Sequence, residues 1–258
     1  MNGPSVFERY PQLEHLRGKV PEEVVEREVT LKAERFEECR RLAKDVIPTV
    51  SLCDVFPAEL ERGRVTLENF LGQWGNISIE EVCKLALIIR WLSPRRILEF
   101  GTYNGMTTLQ MAINSPPDCR IFTIDLPPGG VAAELDVGEV DGYLARKEGF
   151  FRLEVGHYFK GTIYAGKITQ LLGDSTTIDL APVGRPEFVF VDAGHTYRYV
   201  KSDSERALNL VVGGGVVVWH DYVQVLHPDV TQFLYELTRS GLTIHHLRGT
   251  NLAVHYAN

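Results

Sequence analysis

The stretch that decides the fold is ILEFGTYNG, residues 97–105. It predicts a buried strand that runs into a tight glycine turn, followed by a helix over residues 106–113. A second apolar strand begins at Arg120 and ends at Asp125. In an open α/β sheet a nucleotide lies where the first strand meets its helix, because backbone N–H groups point at the ligand there. An acidic residue at the end of the second strand can then bind the two ribose hydroxyls, so an adenosine cofactor is predicted.

The glycine spacing argues against a dinucleotide. A dinucleotide site requires G-x-G-x-x-G so that the backbone can approach a pyrophosphate. Here Tyr103 supplies bulk near the second glycine position, and the carboxylate of Glu99 would repel a pyrophosphate. A carboxylate at that strand end suits a ligand that carries an ammonium group. S-adenosylmethionine (SAM) carries an amine and a sulfonium and is therefore the predicted cofactor, with Asp125 at its ribose.

Composition narrows the class of protein. The 258 residues suffice for one α/β domain with additions. A formal net charge of −7, with no basic stripe, favours neither nucleic acid nor an anionic membrane as a partner. No apolar run approaches the ~20 residues that span a bilayer, and the first residues lack the apolar run of a signal peptide. The four cysteines are scattered, so we expect a cytoplasmic protein with reduced thiols. The sequence is compatible with a monomer or a homo-oligomer.

Alternating strand and helix patterns predict an α/β fold, a Rossmann-like, doubly wound and mostly parallel sheet of seven strands. The last two strands, separated by a short turn at Gly249, are expected to form a C-terminal antiparallel hairpin. Residues 1–76 are expected to be an N-terminal helical extension, with one long helix between Pro21 and Pro48. Residues 77–258 are expected to be the cofactor-binding domain. The remaining strands are predicted at 168–172, 188–191, 216–219, 242–246 and 252–256, and the remaining helices at 199–210 and 230–239.

Residues 127–166 are longer than the usual connection of about 2–6 residues, or about a dozen for a crossover with its helix. The segment is rich in aromatic side chains. Long insertions at the carboxyl edge of a sheet commonly cover a substrate, so we expect a lid over the cofactor. A dimer contact or a plain surface loop is the alternative.

From about residue 75 to residue 256 the chain resembles the class I SAM-dependent methyltransferases. The glycine stretch is similar to that of the catechol O-methyltransferase-like group. VFVDAGH, residues 189–195, and WHDY, residues 219–222, resemble the branch with macrolide sugar O-methyltransferases and cephalosporin hydroxylase-like proteins. The resemblance implies that a turn at Gly173 holds the adenine. The expected cofactor contacts are Glu99, Gly101, Thr102, Tyr103, Gly105, Thr107, Asp125, Asp174, Ser175 and Asp192.

Methyl transfer to a hydroxyl group requires a base that removes its proton. Asp192 follows the strand at 188–191, and His195 follows three residues later in an exposed turn. In the similar catechol-type enzymes a lysine base occupies that spacing. An unperturbed imidazole has a pKa of about 6.5 and suits proton abstraction at neutral pH, so His195 is the predicted base. Asp192 is expected to stabilise the imidazolium that forms. The alternative is that His195 only caps the turn.

His220 and Asp221 end the strand at 216–219, on the same edge of the sheet. In metal-dependent relatives an acidic or Asp-Asn pair there joins the earlier aspartate around Mg²⁺. This chain departs from that pattern, because its first member is His220, and imidazole suits Mn, Fe, Ni or Zn better than magnesium. Asp192, His220 and Asp221 could therefore hold a divalent metal. A metal-free polar cluster with His220 as the base is the alternative.

The remaining histidines have weaker claims. His245, His246 and His255 lie in the terminal hairpin and are expected to be structural, whereas His157 and His227 lie in loops that can reach a substrate. The expected function is SAM-dependent O-methylation of a small hydroxylated molecule. A SAM-fold relative with other chemistry, such as a hydroxylase-like reaction, and a non-catalytic SAM-binding protein are the alternatives. The sequence does not specify the methyl acceptor.

Overall fold

The structure is a computed structural model that describes residues 4–70, 75–127, 140, 143 and 154–257. Its described strands form one eight-stranded sheet in the order β1-β7-β8-β6-β5-β2-β3-β4. The predicted fold class is confirmed. The strands are β1 (Thr49–Val50), β2 (Arg96–Phe100), β3 (Arg120–Asp125), β4 (Ile168–Leu172), β5 (Phe188–Val191), β6 (Val216–Trp219), β7 (His245–Leu247) and β8 (Ala253–Tyr256).

The middle of the sheet is parallel. β2 pairs with β3 on one side and with β5 on the other, so the ends of three strands meet at Phe100, Ile124 and Val191. β8 runs antiparallel to both β6 and β7, which is the predicted terminal hairpin. β1 pairs in parallel with β7 and adds an eighth strand that the sequence pattern did not reveal, since two residues give no detectable periodicity.

The helices form where the sequence supplies a cap and an apolar face. Ser78, for example, accepts a hydrogen bond from the backbone N–H of Glu81, and Glu81 accepts one from that of Ser78, so the two residues form a capping box. The α-helices are α1 (Val6–Arg9), α2 (Glu22–Lys44), α3 (Leu52–Val55), α4 (Ile79–Leu92), α5 (Met106–Asn114), α6 (Tyr197–Leu210) and α7 (Pro228–Arg239). Within the described ranges, none of them has both the length and the apolar character that crossing a bilayer requires.

Each face of the sheet carries its own apolar core. Leu98 and Phe100 of β2 pack in a cluster with residues of α2, α6 and α7, whereas Ile97 packs in a second cluster with residues of α3, α4 and α5. Neighbouring residues of one strand thus serve opposite faces, as the strand period of two requires. The result is three layers, helices–sheet–helices.

The N-terminal extension is built into these layers. Ala43 and Ile47, at the end of α2 and just beyond it, belong to the core shared with α6 and α7. Other α2 residues form a third cluster with Val140 of the insert and with Val225 and Leu226 of the loop before α7. The extension therefore touches the loop that leaves the carboxyl end of β6.

Candidate active site

The glycine turn after β2 adopts a conformation that only glycine tolerates at its first position. Gly101 has φ of +95°, and a Cβ atom there would lie 1.9 Å from the backbone oxygen of Asp192. Gly105 has φ of +81° and begins α5. Tyr103, between them, is also left-handed, with φ of +47°. The turn can therefore bring its backbone close to the end of β5, which is where the predicted catalytic residues begin.

Asp125 ends β3 beside this turn. Its carboxylate accepts hydrogen bonds from the backbone N–H groups of Tyr103, at 2.6 Å, and Leu126, at 2.7 Å. Burial raises the pKa of Asp125, although these N–H groups oppose the shift. Each oxygen keeps a second lone pair, so a fixed carboxylate is presented at the edge where a ribose would bind.

Glu99 lies beneath the turn and is completely buried. Its Oε2 accepts hydrogen bonds from the hydroxyls of Thr108, at 2.5 Å, and Thr123, at 2.6 Å. Burial raises the pKa of Glu99 to about 8, and the two hydroxyls offset only part of that shift. Its Oε1 has no hydrogen-bond partner among the described residues. Such a buried oxygen is costly unless a ligand or water satisfies it.

The other predicted cofactor residues fall into two places. The hydroxyl of Thr102 lies 2.6 Å from that of Thr123, so it joins the polar group around Glu99. Thr107 is buried in the first turn of α5. Asp174 shapes the turn after β4 by accepting hydrogen bonds from the backbone and hydroxyl of Thr176, both at 2.8 Å, and Ser175 is buried beside it.

A cluster of histidines and carboxylates occupies the ends of β5 and β6. Nδ1 of His220 lies 3.2 Å from Oδ1 of Asp192 and 3.3 Å from Oδ2 of Asp221, and its Nε2 lies 3.5 Å from Oε2 of Glu81. Burial lowers the pKa of His220, but the charges of Asp221 and Asp192 outweigh it and raise the pKa well above its usual value. Without a metal, His220 is therefore a cation between carboxylates.

His195 approaches the same cluster from the turn after β5. Its Nε2 lies 2.8 Å from Oδ2 of Asp221, so the carboxylate at hydrogen-bonding distance is Asp221, although the sequence had suggested Asp192. The ring of His227 stacks on that of His195 with centroids 3.9 Å apart. Burial lowers the pKa of His227 well below its usual value, and the neighbouring His195 lowers it further, so His227 is neutral.

The loop that carries Asp221 is strained and firmly held. Asp221 and Val223 have φ of +58° and +56°, which is uncommon for aspartate and an outlier for a β-branched residue. The neighbouring backbone is fixed by two hydrogen bonds, from Tyr222 N–H to the oxygen of Asn251 and from Val223 N–H to the hydroxyl of Thr231. Strain retained by such contacts is frequent at functional sites.

The structure thus brings together four residues that the sequence analysis had selected, namely Asp192, His195, His220 and Asp221. It adds Glu81 and His227, which sequence patterns alone hardly indicate, because α4 and the start of α7 reach the cluster only through tertiary packing. The ring of His246 contacts Thr49 Oγ1 at 2.9 Å and the oxygen of Thr250 at 2.6 Å, which agrees with a structural role.

The described end of the insert packs on the glycine turn. The backbone N–H of Gly156 donates to the oxygen of Tyr103, and that of Tyr158 donates to the oxygen of Asn104, both at 2.9 Å. The ring of Phe159 lies where a Cβ on Gly105 would be. Most of residues 127–153 lie outside the described residues, so the lid remains a prediction.

Comparisons with known proteins agree with this geometry. The methyltransferase domain family matches residues 98–222, from the middle of β2 through the loop after β6. Catechol O-methyltransferase B of Danio rerio is 35% identical over 57 residues, which are 22% of each chain. Caffeoyl-CoA O-methyltransferase of Stellaria longipes is 26% identical over 161 residues, which are 58% of this chain and 57% of the relative. The match thus spans less than two thirds of the length of these curated relatives.

The fold has counterparts among solved structures. The O-methyltransferase NovP superposes with a TM-score of 0.53 at 16% sequence identity, over 70% of this chain and 81% of NovP. Residues 98–222 thus match the methyltransferase domain family, and the chain shares its fold with NovP.

Proposed function

We propose that the protein transfers a methyl group from SAM to a hydroxyl group of a small molecule. The single observation that carries this proposal is the juxtaposition at one edge of the sheet. A carboxylate suited to a ribose, Asp125, follows β3, and a histidine–carboxylate cluster around Asp221 follows the parallel strands β5 and β6. Ligands of open α/β sheets bind at this carboxyl edge.

The residues of this edge fit SAM. The fixed carboxylate of Asp125 suits the two ribose hydroxyls. Burial keeps Glu99 neutral below about pH 8, so its unpartnered Oε1 offers a hydrogen bond and not a full charge. The glycines at 101 and 105 allow the turn to pack closely against Asp192 and Phe159. SAM supplies the electrophilic methyl group when bound. The protein must then position an acceptor hydroxyl and remove its proton.

His195 is the proposed general base. A proton on Nε2 is stabilised by Oδ2 of Asp221 at 2.8 Å, and that tautomer leaves the lone pair on Nδ1. After Nδ1 takes the acceptor's proton, the same carboxylate stabilises the imidazolium. A base placed in this way typically contributes about 10²–10⁴-fold in rate.

A metal-assisted arrangement is the second candidate. Both Asp192 and Asp221 converge on Nδ1 of His220, so these three residues could hold a divalent ion that accepts imidazole. Such an ion would supply positive charge near an acceptor oxygen. If no metal participates, the charges of Asp192 and Asp221 keep His220 protonated, which argues against the alternative that His220 is the base. Exhaustive chelation followed by Mn²⁺ addition separates the two cases, because a required ion makes activity fall and return.

The remaining parts of the proposal concern the setting of the reaction. The expected substrate is a small hydroxylated molecule, and the expected location is the cytoplasm. Different chemistry on the same fold, such as a hydroxylase-like reaction, and SAM binding without catalysis are the alternatives. The methyl product detected by mass spectrometry distinguishes all three.

The test of the proposed base is His195→Ala. We expect SAM affinity within about twofold of wild type and a kcat lower by about 10²–10⁴-fold, measured with a panel of acceptors that includes catechol and caffeoyl-CoA. His255→Gln is the matched control, because His255 pairs with Val217 away from the cluster. Near-normal kcat in His195→Ala would place the base elsewhere.

A further inference from the structure

The turn after β5 and the loop before α7 bring a second group of ligand atoms together. His195, Asp221 and His227 each offer one such atom, and the three atoms lie within 4.8 Å of one another. Two ligands bound at about 2.1 Å to one tetrahedral ion are separated by about 3.4 Å. The side chains therefore need to move by at most about 1.4 Å relative to one another to share an ion.

The chemistry of the donors selects the kind of ion. Two imidazoles and one carboxylate suit zinc, iron, cobalt or nickel, whereas magnesium prefers an all-oxygen shell. We propose that His195, Asp221 and His227 form a binding site for one divalent transition-metal ion. The site is distinct in composition from Asp192, His220 and Asp221, which offer one imidazole and two carboxylates.

The backbone that carries these ligands is already fixed. The N–H of His227 donates to the oxygen of Gln224 at 3.0 Å, and α7 begins at the next residue. Nζ of Lys32, on α2, donates to the oxygen of Leu226 at 2.6 Å. Asp221 is held in its left-handed conformation by the hydrogen bonds of Tyr222 and Val223. Little conformational entropy remains to be lost when an ion binds.

A metal at this site has a consequence for catalysis that rests on the proposed function. An ion can bind Nε2 of His195 only when the single proton of the neutral ring lies on Nδ1 instead of Nε2. Nδ1 can then no longer accept a proton from a hydroxyl group. The metal-bound form is therefore inactive, and zinc is an inhibitor of methyl transfer, whereas magnesium is not.

The two groups of ligands share Asp221 but differ in their other members. Replacing His227 removes a ligand from the proposed site and leaves Asp192 and His220 in place. Replacing Asp192 does the opposite. This difference lets one set of variants identify which group holds an ion.

The experiment measures zinc binding to the full chain after chelator treatment, by competition with a chromophoric chelator and by elemental analysis. We expect one zinc per wild-type chain. His227→Gln should weaken zinc binding by at least about tenfold, whereas Asp192→Asn and the control His255→Gln should stay within a few-fold of wild type. Pulsed electron paramagnetic resonance of Cu²⁺-loaded wild type should detect two imidazole nitrogens, which does not depend on any variant folding.

Three results would overturn the site. Wild type could bind no zinc, His227→Gln could bind zinc as wild type does, or the bound Cu²⁺ could show one imidazole or none. Failure of the proposed base has a different signature. If zinc binds through two imidazoles but leaves methyl transfer unchanged, the metal site stands and His195 is not the base.

Discussion

Asp221 is the residue that joins the parts of the site. The same oxygen, Oδ2, lies 2.8 Å from His195 and 3.3 Å from His220. Burial raises the pKa of Asp221, but the neighbouring imidazoles, His220 first, hold it well below its usual value. Asp221 is thus a permanent anion at neutral pH, which can stabilise either a protonated base or a bound cation.

Glu99 is the residue with the clearest effect of pH on stability. Its pKa rises from 4.5 in the unfolded chain to about 8 in the fold because it is completely buried. The neutral acid is therefore the stable form, and stability present below pH 4.5 is lost as the pH rises through about 8. Glu99→Gln should remove that loss. Each pKa unit corresponds to about 1.4 kcal/mol, so the difference at pH 9 should be on the order of a few kcal/mol.

Urea unfolding at pH 5 and pH 9 checks this prediction. From pH 5 to pH 9, the free energy of unfolding of wild type should fall more than that of Glu99→Gln. Equal pH dependence of the two proteins would show that Glu99 ionises freely in the fold.

The strand–turn–helix element at β2 depends on one glycine. In Gly101→Ala the new methyl group would lie 1.9 Å from the oxygen of Asp192, and φ of +95° adds strain. We expect a loss of unfolding free energy on the order of 3 kcal/mol or more. Gly213→Ala is the control, since its Cβ meets nothing within 4 Å and the change should stay within about 1 kcal/mol. Similar melting of the two variants would contradict this account of the turn.

Lys32 of α2 donates to the oxygen of Leu226 in the loop before α7 and forms a partly buried ion pair with Glu28 of the same helix. Nζ of Lys32 lies 2.5 Å from Oε1 of Glu28, whose side chain is only 4% exposed and also accepts the N–H of Val140, at 2.5 Å. Lys32→Met leaves that carboxylate without its cation and should cost about 2 kcal/mol of unfolding free energy.

Lys201→Met is the matched control for Lys32→Met. It breaks the exposed pair with Glu205, whose side chains are half exposed, and should cost less than about 1 kcal/mol. Denaturant unfolding of both variants makes the comparison. Equal losses would mean that the α2 contact is an ordinary surface ion pair.

Sequence patterns predicted the elements that carry long apolar runs and missed those that depend on neighbours. The strands at 168–172, 188–191 and 216–219 appear at the predicted residues. β1 has two residues and exists because β7 pairs with it. His227 reaches the site because α7 packs against α2 and α6, which a linear pattern does not contain. The pairing of His195 with Asp221 likewise follows from the left-handed backbone of the loop after β6.

At the scale of the whole molecule, one sheet edge collects all of the proposed chemistry. Helices cover both faces of the sheet, and the N-terminal extension contacts Val140 of the insert and the loop after β6. We propose that Asp125 serves the cofactor and that the histidines serve the acceptor. The central claim is that this edge binds SAM.

Isothermal calorimetry of SAM binding tests that claim most directly. Wild type should bind SAM and its demethylated product in the micromolar range and more tightly than NAD. Asp125→Ala should weaken SAM binding at least about tenfold, or ~1.4 kcal/mol. Asp125→Asn preserves the shape of the side chain and serves as a second variant if Asp125→Ala misfolds. Asp118 is exposed at the opposite edge of the sheet, so the control Asp118→Ala should bind SAM as wild type does. No SAM binding by wild type, tighter binding of NAD, or unchanged affinity in a folded Asp125 variant would contradict the account.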